Sequence, residues 1–214
     1  MKKAIIIIAA FAAIVVLGFI AYIFLASPKV PQAFIDGHNE FVALQKEAFQ
    51  LSDLTSMPEM EALNTQMASE DYSGALKSVE SALARKKDAS AKLDSINSKL
   101  AELKSISGEI TNSEIKTGAE NFIEVANKEN VVKINYNNLQ IQMLEKLKTM
   151  IGILVKNPKA ISAADEKTIN DLSKEITDLK DQFGKAEGEV DKIQSRYKEV
   201  EKEFFGLAGL EISK

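Results

Sequence analysis

The sequence predicts an all-α protein: an N-terminal transmembrane helix followed by an elongated up-down-up-down helical bundle with a coiled-coil seam. Three observations carry this. Residues Ala4 to Ala26 are apolar and contain no charge, and about 20 such residues cross the hydrocarbon core of a bilayer. Beyond them, apolar residues recur at three- and four-residue spacing almost throughout, the period of one helix face. Gly and Pro are scarce, at 10 and 4 in 214 residues, so breaks are few.

The apolar run divides the chain into a signal-anchor, residues 1–27, and an extracytoplasmic bundle, residues 28–214. A cleaved leader has an apolar stretch of about 7–15 residues before a small-x-small site. Here the stretch is longer, and cuts after Ala26 or Ser27 would put Phe24 or Leu25 where a small residue belongs. An uncleaved span in the lipid bilayer through residues 4–26 is expected, with a cleaved leader as the alternative. No cysteine is present to carry a lipid. Lys2 and Lys3 flank one side and only Lys29 lies close on the other, which keeps the N-terminus in the cytoplasm. No Asn-x-Ser/Thr sequon occurs, which favours the inner membrane of a prokaryote.

The first helix of the bundle should run from about Pro31 to Leu54, with Phe34, Phe41, Leu44, Ala48 and Leu51 on one face. Pro31 suits a first turn, where its missing N–H needs no partner. Ser56 and Glu59 read as a capping box opening a short helix to about Met67. A third helix should span Glu70 to Ser107, with a stripe from Tyr72 through Leu76, Val79, Leu83, Leu93, Ile96, Leu100 and Leu103. Arg85, Lys86, Lys87 and Asp88 interrupt that stripe as a polar waist, and Gly108 stops it. Thr111 and Glu114 suggest a second capping box. The fourth helix then reaches about Lys156, before Asn157-Pro158.

Residues 134–143 nearly alternate, so a hairpin turning at Asn137-Asn138 competes with helix there. Val132, Tyr136, Leu139 and Met143 keep helical spacing, and an isolated hairpin is marginal in water, so helix is favoured. From Ile169 the last helix repeats at three and four residues through Leu172, Ile176, Leu179, Phe183, Ala186, Val190, Ile193, Tyr197, Val200, Phe204 and Leu207. Such a narrow seam is a coiled-coil signature. Its bulky rings favour an intramolecular bundle, with a homo-oligomer as the alternative. The short helix through Met67 would complete the first column.

Glu70–Leu76, with Val79, Ala82 and Leu83, resembles the second helix of a tetratricopeptide repeat over about fourteen residues. The preceding helix lacks that family's Trp/Leu-Gly-Tyr pattern and no second copy follows at a period of about 34, so the segment reads as ordinary amphipathic helix. The architecture as a whole resembles the four-helix ectodomain of bacterial chemoreceptors. Those receptors return through the membrane to a signalling domain, and neither a second span nor such a domain is visible in this sequence.

Two of the 27 basic residues and none of the 31 acidic ones precede residue 28, leaving 25 against 31 and a net charge of −6 on the bundle. That disfavours nucleic acid, whose affinity comes largely from cations meeting phosphates. His38 is the single histidine, and Asp36, His38 and Glu40 diverge on a helix at two-residue spacing, so neither a metal site nor a cofactor is expected. No nucleophile elbow, phosphate loop or calcium loop occurs. His38 itself should be half-exposed near the membrane. The expectation is a non-enzymatic scaffold, spacer or protein-interaction module. Met57, Met60, Met67, Met150 and Leu154 would form a distal tip for a protein partner, since methionine adapts to varied surfaces. Phe205, Leu207 and Leu210 would form an apolar tail on the membrane. The alternative is a sensor or carrier with a small-ligand site between the helices, using Glu129, Asn135, Tyr136 and Gln140.

The seam sets a first test. Ile193→Asp places an unpaired charge in a packed stripe and should destabilise residues 28–214 by several kcal/mol. Lys192→Asp, outside the seam, should shift stability by less than ~0.5 kcal/mol. Equal melting of the two variants would disprove the register.

Overall fold

The computed structural model describes residues 29–52, 57–157 and 159–210. The anchor expected at residues 4–26 and Ser56 of the expected capping box lie outside them. No helix of the described residues is long and apolar enough to cross a membrane. The described residues form five helices and no strand: α1 Gln32–Ser52, α2 Pro58–Ala68, α3 Tyr72–Ser107, α4 Ser113–Lys156 and α5 Ala163–Ala208. α3, α4 and α5 each extend for about 55–70 Å at 1.5 Å per residue.

The helix starts differ from expectation in instructive ways. Met57 occupies the N-cap of α2 and makes no side-chain cap bond; Pro58 at the first position needs no partner for its absent N–H. Asp71 caps α3 by accepting from the Gly74 N–H at 2.9 Å. Asn112, rather than Thr111, caps α4, accepting from the N–H groups of Glu114 and Ile115, both at 3.0 Å. Its backbone is extended directly before Ser113, which lets one amide oxygen reach two orphan donors. Ser162 caps α5 through the Asp165 N–H, seven residues ahead of the first seam residue, Ile169. Gly209 ends α5 with a φ of 69°, a conformation glycine adopts without a Cβ penalty. Residues 134–143 lie inside the continuous α4 helix.

Contacts define the directions. The Phe34 ring meets Phe204 at 5.4 Å and a Cβ on Gly37 would lie 3.0 Å from Leu103, so α1 starts where α3 and α5 end. Gln50 and Ser52 at the end of α1 accept from Arg85 and Lys86, midway along α3. α2 takes over from there: Glu59 pairs with Arg85 at 3.7 Å and Gln66 accepts from Ser78 at 2.8 Å. α1 and α2 therefore lie end to end along α3. α3 and α4 run antiparallel, as do α4 and α5, the latter pair held near the far end by the Lys146–Glu175 ion pair.

Two buried asparagines set the α3–α4 register. Asn137 donates to the Lys86 carbonyl at 3.1 Å and to Ser90 Oγ at 2.8 Å. Seven residues earlier, Asn130 donates to the Leu93 carbonyl at 2.9 Å and to Asn97 Oδ1 at 2.7 Å. The acceptors Lys86 and Leu93 are also seven apart. Below this level the core is aromatic. Phe122 of α4 meets Phe41, Tyr197 and Phe204 at 6.1, 5.7 and 5.9 Å. Above it a second core forms from Leu63 of α2, Ala75, Val79 and Leu83 of α3, and Leu144 and Ile151 of α4. At that height α5 packs on α4 through Tyr136 stacked on Phe183 at 4.5 Å, with Leu139, Leu179 and Ala186.

Phe122 is fully buried at the centre of the ring cluster. Phe122→Ala should cost about 3–5 kcal/mol in chemical denaturation. Phe49→Ala, at a ring 66% exposed, should cost less than ~0.5 kcal/mol. Similar losses at the two positions would contradict the aromatic core.

Candidate functional site

α1 and α5 face each other in layers seven residues apart. Phe34 lies against Phe204 and Phe41 against Tyr197, with centroids 5.4 and 6.3 Å apart. The next step of seven on each helix brings Ala48 and Val190. Two rings give way to a methyl and a branched side chain, and the layer is left unfilled. A cleft of about 300 Å³ opens there. Leu93 and Ile96 of α3 form its floor, Tyr136 and Lys133 of α4 one side, and Phe49 its mouth. Glu187, Asp191, Gln45 and Gln194 stand around the opening.

Beneath the cleft a carboxylate is already satisfied. Glu129 is 1% exposed; it takes a hydrogen bond from Gln45 at 3.1 Å and pairs with Lys133 at 2.8 Å. Lys86, placed by the sequence in a polar waist, is fully buried and donates to the Ser52 carbonyl and to Gln140 Oε1. Of the four polar residues expected at a ligand site, Tyr136 lines the cleft, Glu129 lies under it, Gln140 turns to Lys86 and Asn135 is exposed. Gln45, Lys133 and Lys86 were not foreseen. The signal that would have found the cleft is the paired heptad step 34, 41, 48 against 204, 197, 190.

The residues of the expected distal tip differ in burial. Met57 is 2% exposed at the joint between α1 and α2, about 15 Å of helix below Met67. Met60 packs into the upper core, Met150 and Leu154 are half-buried, and Met67 is exposed. In the tail, Phe205 is buried with its ring 4.7 Å from His38, and Leu210 packs on the lower core. Leu207 alone of the three is exposed, at 38%.

His38 is buried, not half-exposed, because Phe41, Phe122 and Phe205 surround it. Its Nε2 lies 3.2 Å from Glu201 Oε1, and the Tyr197 hydroxyl donates to the same oxygen at 2.7 Å. Burial by itself would raise the Glu201 carboxyl, but the hydrogen bonds from His38 and Tyr197 outweigh it and hold the group below its ordinary range. Burial, together with the Glu201 charge, pushes the Tyr197 phenol upward, so it stays protonated and donates. These three groups form a satisfied structural cluster. No group of three or more His, Cys, Asp or Glu among the described residues is arranged to hold a metal ion. Comparison with protein families, with curated proteins and with solved structures finds no match for the chain.

The lowered Glu201 pKa ties stability to pH with a definite sign. The folded state favours the carboxylate, so its contribution is complete above the ordinary value of 4.5 and is lost as pH falls through the lower folded value. Melting temperatures of wild type and Glu201→Gln should differ most near neutral pH and converge as the pH falls below the ordinary value of 4.5 and through the lower folded one. A constant difference across that range would rule out the carboxylate as the stabilising species.

Proposed function

We propose that the chain is a single-pass membrane protein whose elongated up-down-up-down bundle stands outside a prokaryotic inner membrane as a non-enzymatic scaffold, spacer or protein-interaction module. The observation that carries this reading is the use of the interior polar groups. Asn130, Asn137, Lys86, Gln140, Glu129 and His38 bond to backbone or to side chains of neighbouring helices, fixing helix register. The uncharged stretch over residues 4–26 supplies the tether, and Lys29 comes close to Gly209, so the tether would enter at the end where α5 finishes. Met67, exposed at the opposite end, is the contact point for a partner.

One observation favours a second reading. The cleft at the Ala48–Val190 layer is large enough for a small molecule, as ligand pockets begin at about 300 Å³. In that reading the bundle is a sensor or carrier.

Full-length protein should remain in membranes washed with high-pH carbonate, and protease outside intact spheroplasts should digest all but the anchor. A soluble mature form starting near Pro28 would refute the tether. A photo-crosslinker at Met67 should give a discrete adduct in intact cells, and one at Glu102, near the tethered end, should give none. Equal adducts at both positions would refute the distal contact.

A further inference from the structure

The cleft has a shape and a charge that together select a ligand, and this inference rests on the second reading above. Its walls continue a ladder of rings. Phe34–Phe204 and Phe41–Tyr197 fill two successive layers, and Ala48 and Val190 leave the third without a ring. Apolar cavities of ~150 Å³ take up benzene, and this one measures about 300 Å³. A bicyclic ring would replace the missing pair. Phe49, 66% exposed at the mouth, offers such a ring a further apolar contact.

The rim decides the charge. Among the described residues Lys133 is the one cation lining the cleft, and it is bound at 2.8 Å to the buried Glu129. An incoming anion would have to compete with that carboxylate. Glu187 and Asp191, four residues apart on one face of α5, are both exposed and carry no ion pair among those between described residues. They lie beside the opening with the amide side chains of Gln45 and Gln194. The rim thus presents two negative charges that no described cation neutralises, above an apolar floor. We propose that the cleft binds a small aromatic amine, its ring in the unfilled layer and its ammonium between Glu187 and Asp191.

The chain has no tryptophan, so indole fluorescence reports a probe without background from the protein. Full-length protein in lipid nanodiscs, against empty nanodiscs, should bind tryptamine at least threefold more tightly than uncharged 3-methylindole, and 3-methylindole more tightly than indole-3-propionate. The double variant Glu187→Gln/Asp191→Asn changes exposed groups and should keep the fold. It should weaken tryptamine roughly two- to fivefold, the scale of exposed ion pairs, and leave 3-methylindole unchanged. Ala48→Phe restores the ring layer and should weaken both by at least tenfold. Retained binding in a folded Ala48→Phe protein would overturn the site. Preference for 3-methylindole or indole-3-propionate would overturn the cationic ligand while keeping the cleft as a site. Absence of saturable binding by all three probes would overturn the ligand and the second reading together.

Discussion

The bundle is organised around the register of α3 against α4, and that register is held by two asparagines. Asn130 and Asn137 each reach across to a backbone carbonyl on α3 and to a side chain one turn beyond it. An apolar seam alone tolerates sliding by a heptad, because leucine meets leucine again. Two buried amides resist it, since a one-heptad shift lets one of them meet the other's acceptors but carries the second past its own and leaves that donor unpaired in the core, at a cost of about 1–3 kcal/mol. α1 packs on α3 and α5 on α4, so fixing the central pair fixes which residues of the outer helices meet. The pairing of Phe34 with Phe204 and of Phe41 with Tyr197 follows from it, and so does the vacant layer above them.

This specificity has a cost that the structure displays. The Oδ1 atoms of Asn130 and Asn137 are buried without a hydrogen-bond partner, and Lys86 lies wholly out of solvent. Leucines at those positions would pack better and specify less, the trade seen when a single buried polar residue sets the alignment of a coiled coil. Glu129, Gln45 and Lys133 repeat the arrangement between α1 and α4. Polar groups in this interior therefore mark alignment, whereas the cleft at the Ala48–Val190 layer has an apolar floor and a polar rim.

Helices were legible because their apolar residues recur at three and four positions over long stretches; α4 remained helical across residues 134–143, where it buries Leu139 against α5 and, just beyond, Leu144 in the upper core. Helix starts were less legible. Thr111 and Asn112 are both competent caps, and only the backbone angle at Asn112 chooses between them. The charged run Arg85–Asp88 gave no hint that Lys86 alone turns inward, since its partners Ser52 and Gln140 are 34 and 54 residues distant. Met57 and Phe205 read as surface docking residues from sequence, and each is buried where a joint or a ring cluster needed volume. A cleft is the hardest feature to foresee, because it depends on what two distant helices both omit at the same height.

The interruption between α1 and α2 coincides with the level of Lys86, where polar groups cross the bundle and divide the lower aromatic core from the upper aliphatic one. The molecule is in this sense two cooperative units strung on three shared helices. The lower unit carries the large rings and the larger buried cluster; the upper one is braced by an eleven-residue α2 that an isolated chain would hold only weakly. Local opening takes the least-packed contacts first, so α2 can lift from α3 while the rings around Phe122 stay closed. A partner meeting Met67 would then engage the part of the fold that yields at the lowest free energy, leaving the remainder undisturbed.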